Sequence, residues 1–128
     1  MAKIIVHTDN APQAGSYSQA VQAGGLVFVS GQGPFDPGTG AIVGSTIQEQ
    51  TAQCLRNIAA ILQAAGSSLD QAVSATFILA DPADFAGMNE EWITWFPTDP
   101  PARQGAKLPI QVPGLRISIA LVAEAAGT

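Results

Sequence analysis

The sequence predicts an α+β fold: a mixed sheet of five or six strands with two helices on one of its faces. Three observations lead there. Up to Ser45 the chain holds only strand and turn signals, and from Thr46 its apolar residues switch to three- and four-residue steps. The switch recurs after Asp81, and the last segment returns to strict alternation. With 128 residues, 47% of them apolar, there is material for one packed core, so residues 1–128 are expected to form a single domain.

Each element can be justified in order. Lys3 to His7 can form a first strand, which Asp9-Asn10-Ala11-Pro12 breaks with turn chemistry. Ala20 to Ala23 and the apolar run Leu26-Val27-Phe28-Val29 flank Gly24-Gly25 and read as a hairpin. Asp36-Pro37-Gly38-Thr39-Gly40 is a dense turn. Ile47, Thr51, Cys54, Leu55, Ile58 and Leu62 then mark a helix with one apolar face. Ser45 with Gln48, or Thr46 with Glu49, supplies its capping box, and Gly66 suits the left-handed position that ends it. Cys54 lies on the apolar stripe and is read as a structural thiol.

Ala72 to Leu79 is a strand by its Val, Thr, Phe and Ile content, and Asp81-Pro82 opens a second helix with an acidic N-cap and proline in the first turn. Phe85, Met88, Trp92 and Phe96 share one face of it and are assigned to the core. After Pro97, Pro100 and Pro101, an extended stretch runs from Arg103 to Leu108, and Leu115 to Ala123 alternates as a final strand. Two helices cover only one face of such a sheet. The other is also apolar, with Ala20, Val27, Val29, Ala120 and Val122 as candidates, so a second subunit is expected to cover it.

Composition narrows the function. Ten acidic residues outweigh five basic ones, and Lys3, Arg56, Arg103, Lys107 and Arg116 are scattered, which argues against a surface that tracks nucleic-acid phosphates. One cysteine and one histidine leave no internal disulfide and no Cys- or His-rich metal site. No secretory h-region and no run of eighteen apolar residues is present, so a cytoplasmic protein free of the membrane is expected.

The residues that could carry chemistry are few. Arg103 follows Pro100-Pro101-Ala102, where prolines stiffen the approach, and its planar fork matches a carboxylate in a way Lys cannot. The alternative is a surface Arg paired with an Asp or Glu. Gly31, in Ser30-Gly31-Gln32 at a strand end, allows a ligand or backbone to approach closely, and Tyr17 lies in a polar loop where a phenol could meet a ligand.

Taken together and in this order, these segments resemble the Rid (reactive intermediate deaminase) or YjgF family, most closely its RidA-like members. The resemblance runs through Asn10-Ala11-Pro12 with Gly15 and Tyr17, Val29-Ser30-Gly31-Gln32 with Pro34, and Asp36-Pro37-Gly38-Thr39-Gly40. It continues in Gln53 with Asn57-Ile58, in Ala64-Ala65-Gly66-Ser67-Ser68-Leu69, in Asp84-Phe85 with Asn89, and in Pro101-Ala102-Arg103, spanning about residues 10 to 123. It implies a chorismate-mutase-like fold assembled as a homotrimer, with sites in the clefts between subunits. It also implies hydrolysis of reactive 2-imino acids such as 2-iminopropanoate, and of their enamine tautomers, to 2-keto acids and ammonia without metal or organic cofactor.

By the same resemblance Arg103 would grip the substrate carboxylate, and Tyr17, Gly31, Asn89 and Gly105 would help form the cleft. Three positions depart from the family pattern. Gly105 stands where a Cys is common, Ser118 stands where a Glu helps hold the attacking water, and the loop from Phe96 to Pro101 is shorter than usual. Ser118 can still bond a water but is a poor base at neutral pH. Three readings follow: an imine deaminase, a non-catalytic paralogue that binds small keto or amino acids between subunits, and a ribonuclease or translation inhibitor, against which the acidic balance argues.

Overall fold

The computed structural model describes residues 2–125; residue 1 and residues 126–128, the ends of the expected 1–128 domain, lie outside the described residues. Six strands form one mixed sheet: β1 (Ile4–Val6), β2 (Ala20–Ala23), β3 (Leu26–Gln32), β4 (Ala72–Leu79), β5 (Ala102–Lys107) and β6 (Ile117–Glu124). Their order across the sheet is β1-β2-β3-β6-β4-β5, antiparallel throughout except that β5 runs parallel to β4. Two helices, α1 (Ile47–Ala64) and α2 (Phe85–Trp95), complete the α+β architecture.

Helix α1 starts where its cap chemistry says it should. The Thr46 side chain accepts from the Glu49 backbone NH, and the Glu49 carboxylate accepts from the backbone NH groups of Thr46 and Ser45, so of the two capping pairs the sequence allows, Thr46 with Glu49 is the one used. Past the helix end, Gly66 adopts φ +77°. The face presented to the sheet buries Leu55, Ile58, Ile61 and Leu62 completely, each contributing about 1.5–3 kcal/mol of apolar transfer. Cys54 is buried among them, and burial pushes its thiol pKa well above the ordinary value, leaving it a packing group.

Two buried amides on α1 tie loops to this core. Asn57 Nδ2 donates to the carbonyls of Gly33 and Phe35, while Gln50 Nε2 donates to those of Gly44 and Gly114 and its Oε1 accepts from the Arg116 backbone NH. The Arg116 guanidinium in turn donates to the Asp84 carboxylate and to the Ser45 carbonyl, fixing the entry into α2.

Several expectations change in detail. The first strand is Ile4–Val6, shorter than Lys3 to His7, and β3 extends past Val29 to Gln32. The second helical segment begins at Pro82 as a single tight 3-10 turn capped by Asp81, and the α-helix proper starts at Phe85. Phe85 projects from that first turn beyond the core and is 44% exposed, whereas Met88, Trp92 and Phe96 are buried as expected.

The far sheet face also needs correction. Ala20, Val27 and Val29 point toward the helices and are buried; the strand pleat puts Ile5, Val21, Phe28 and Val122 in one cross-strand row on the opposite face, next to Ala120 and Ile78. Among the described residues no helix covers that face. No helix among them is long and apolar enough to cross a membrane.

Candidate functional site

Strand β5 is an edge strand whose residues are all exposed, and its register with β4 sets the site. Arg103 pairs with Ala75 and Gly105 with Phe77, so both positions face the helix side of the sheet, where α2 presents Phe85, Asn89 and Trp92 to Arg103. There the Arg103 Nη1 donates to Asn89 Oδ1 at 2.6 Å. Three aromatic rings surround the guanidinium carbon: Phe77 and Trp92 with centroids at 5.1 Å, and Phe85 at 5.7 Å. Contacts of this kind contribute about 0.5–1 kcal/mol each at exposed sites.

Partial removal of water by these neighbours draws the Arg103 pKa below its ordinary value without discharging it. Among the described residues no Asp or Glu pairs with Arg103, and its Nε and Nη2 carry no hydrogen bond. The simple surface ion pair is therefore not what this arginine makes. Beside it lies an open recess of about 620 Å³, whose lining includes Asn89, Glu90, Trp92, Phe96, Pro101 and Arg103.

A second group of expected residues gathers elsewhere. The β3–β6 register shifts between Val29 and Gln32, a bulge centred on Ser30 and Gly31, and bulges of this kind re-aim a strand next to a site. Gly31 lies so near β6 that a Cβ there would sit 3.2 Å from Ser118 Oγ. Ser30 holds the preceding loop in place, its hydroxyl donating to the Ser18 carbonyl and its NH to the Gln19 carbonyl, which brings Tyr17, 55% exposed, to the same corner.

One chain thus divides its candidate residues in two. Arg103, Asn89 and Gly105 lie on the helix side of β5, while Tyr17, Gly31 and Ser118 lie at the bulge, with the Ser118 side chain on the open face. Gly31 on β3 is three strand spacings, about 14 Å, from β5, and Ser118 on β6 is two, about 10 Å, with its side chain on the face opposite to Arg103. Such groups cannot meet around one small ligand within a single copy.

Sequence reasoning assigned the aromatic residues to the core and so missed the ring cluster around Arg103. The signal lay in the parallel register of β4 and β5, which brings Phe77 against Gly105, and residue pattern alone does not disclose that register. Among the described residues no three of His, Cys, Asp and Glu come together as a metal-ligand set.

Comparison with known proteins gives a consistent set of relatives. Residues 8–125 match the family model described as endoribonuclease L-PSP. A RutC family protein of Pyrococcus horikoshii is 49% identical over 79% of this chain and 81% of that protein. The mouse 2-iminobutanoate/2-iminopropanoate deaminase is 38% identical over 93% of this chain and 89% of that protein. Among solved structures, a Rid-family protein of Yersinia pestis superposes with a TM-score of 0.90 at 35% identity, covering 97% of this chain and all of that one.

Proposed function

Since this chain belongs to the endoribonuclease L-PSP family, which embraces the Rid proteins, we propose that it hydrolyses 2-imino acids to 2-keto acids and ammonia at a site shared between subunits. The observation that carries this reading is the state of Arg103: a guanidinium held by Asn89 and aromatic faces, with Nε and Nη2 open and no acidic partner among the described residues. That is the donor pair a substrate carboxylate needs for two parallel charge-assisted hydrogen bonds.

In this mechanism Arg103 anchors the carboxylate and so fixes the imine carbon next to it. Gly31 and Ser118, supplied with Tyr17 by a neighbouring copy in a homotrimer, line the opposite wall, where the Ser118 hydroxyl and nearby backbone groups hold a water. The water oxygen bonds to the electrophilic C2 of the iminium as the C=N π electrons pass to nitrogen, one water proton moves to that nitrogen, and the C–N bond then breaks as the remaining hydroxyl proton is lost to solvent, leaving ammonia and the C2 carbonyl. Positioning supplies most of the acceleration, because the iminium is already activated toward water.

One observation favours a second reading. Ser118 places a hydroxyl and no carboxylate beside Gly31, so a chain that binds small keto or amino acids without turning them over fits the same geometry. Ribonuclease action draws less support, given a net charge of −5 and cations spread over several elements.

The deciding experiment generates 2-iminobutanoate in situ with an amino-acid oxidase and follows keto-acid release with and without the protein. Release faster than the spontaneous rate is expected. Saturable binding of 2-oxobutanoate without acceleration selects the binding protein, and salt-sensitive RNA cleavage without either overturns the reading.

A further inference from the structure

Asn89 fixes only one terminal nitrogen of Arg103, which leaves the guanidinium free to pivot about that bond. What limits the pivot is the ring cluster, of which Phe77 is the one ring rooted in the sheet next to β5. Phe77 is buried, packs at 5.7 Å against Phe85, and lies directly over Gly105. A Cβ at position 105 would overlap the ring atoms of Phe77, so the ring occupies this place only because residue 105 has no side chain.

We propose that Phe77 is a positioning residue for Arg103 and that Gly105 provides the room its ring requires, the pair together aiming the guanidinium at the substrate carboxylate. The inference rests on the carboxylate reading of Arg103 and deepens it. Any side chain at position 105 pushes the ring outward, toward the space the guanidinium occupies. A smaller aliphatic residue at position 77 leaves the guanidinium without one of its two nearest faces. Both changes act on ligand binding through Arg103, although neither residue needs to touch the ligand.

The test compares Phe77→Leu, Phe77→Tyr, Gly105→Ala and Arg103→Ala by titration with 2-oxobutanoate, by KM and kcat on the imine, and by melting temperature. Phe77→Leu and Gly105→Ala are each expected to weaken binding and raise KM about three- to tenfold with kcat little changed, as expected for loss of uniform binding. Phe77→Tyr keeps the ring face and should retain wild-type affinity. The double variant Phe77→Leu/Gly105→Ala should be no weaker than the worse single, because both disturb one contact.

If Phe77→Leu and Gly105→Ala lower the melting temperature yet leave KM and affinity unchanged, Phe77 is core packing only and the inference is overturned. Should Phe77→Leu fail to fold, Gly105→Ala on the exposed edge strand decides the matter by the same KM criterion. Arg103→Ala separates the two levels. Loss of binding there with none in the Phe77 and Gly105 variants removes this inference alone, while full binding by Arg103→Ala removes the carboxylate reading and this inference with it.

Discussion

Arg103 meets the surface with two of its donors open, and the strength of a charge-assisted pair sets what its loss should do. Bonds to charged groups contribute on the order of 1.5–3 kcal/mol each, so Arg103→Ala should reduce 2-oxobutanoate affinity by well over a hundredfold, as read by calorimetric titration. Arg103→Lys keeps the charge and loses the fork, and should recover only part of that affinity. Ser118→Glu adds a carboxylate at the corner beside Gly31, able to orient a water and take its proton; turnover of the imine should rise at least tenfold while affinity for the keto acid stays similar. At this scale the sequence was informative wherever a residue's neighbours in the chain define its setting. Pro101-Ala102-Arg103 singled out the arginine, and the apolar stripe of α1 marked Cys54 as buried. The rings around Arg103 come from β4 and α2, and their convergence is a product of tertiary register.

Among the elements, α1 was the most legible because its spacing, its cap and its terminal glycine all specify the same helix. The cap also yields a measurable prediction: Thr46→Ala removes the acceptor for the Glu49 NH and should cost about 1 kcal/mol in a denaturant titration. Glu49 adds a pH dependence. Its carboxylate accepts from the backbone NH groups of Thr46 and Ser45, and these bonds hold its pKa below the ordinary carboxylate value. A depressed folded-state pKa means that its stabilisation is fully present above the unfolded value and is lost as pH falls through the folded one. Stability should therefore fall below the usual carboxylate range, and Glu49→Gln should flatten that part of the profile in acid titrations followed by circular dichroism. The start of α2 was less legible because Pro82 and Asp81 support either a helix or a tight turn, and the chain makes the turn first. That shift of one turn moves Phe85 from the core to the rim of the arginine site.

Over the whole molecule, the open sheet face and the divided site are both what the proposed assembly of copies would require. Ile5, Val21, Phe28 and Val122 form an apolar row that no helix covers among the described residues, and apolar surface of this kind marks association. The sequence foretold an uncovered face but misassigned three of its members, since a strand's phase relative to the core depends on which side the helices settle. A solution mass measurement at micromolar concentration should give a trimer, and a well-folded monomer would refute the assembly. The sharper consequence concerns the two residue groups. If Arg103 of one copy works with Gly31 and Ser118 of the next, then Arg103→Ala and a blocked corner such as Gly31→Phe should each abolish binding in homotrimers. Mixed trimers formed by joint refolding or co-expression behave differently, because some interfaces pair an intact arginine half with an intact corner half. For a cyclic trimer with random mixing at equal amounts, about one interface in four should be whole. Recovery of roughly a quarter of the wild-type 2-oxobutanoate sites in the mixture is the expected result. If the mixture binds no more than the two inactive variants measured apart, each site is confined to a single chain, and the arrangement between subunits is wrong.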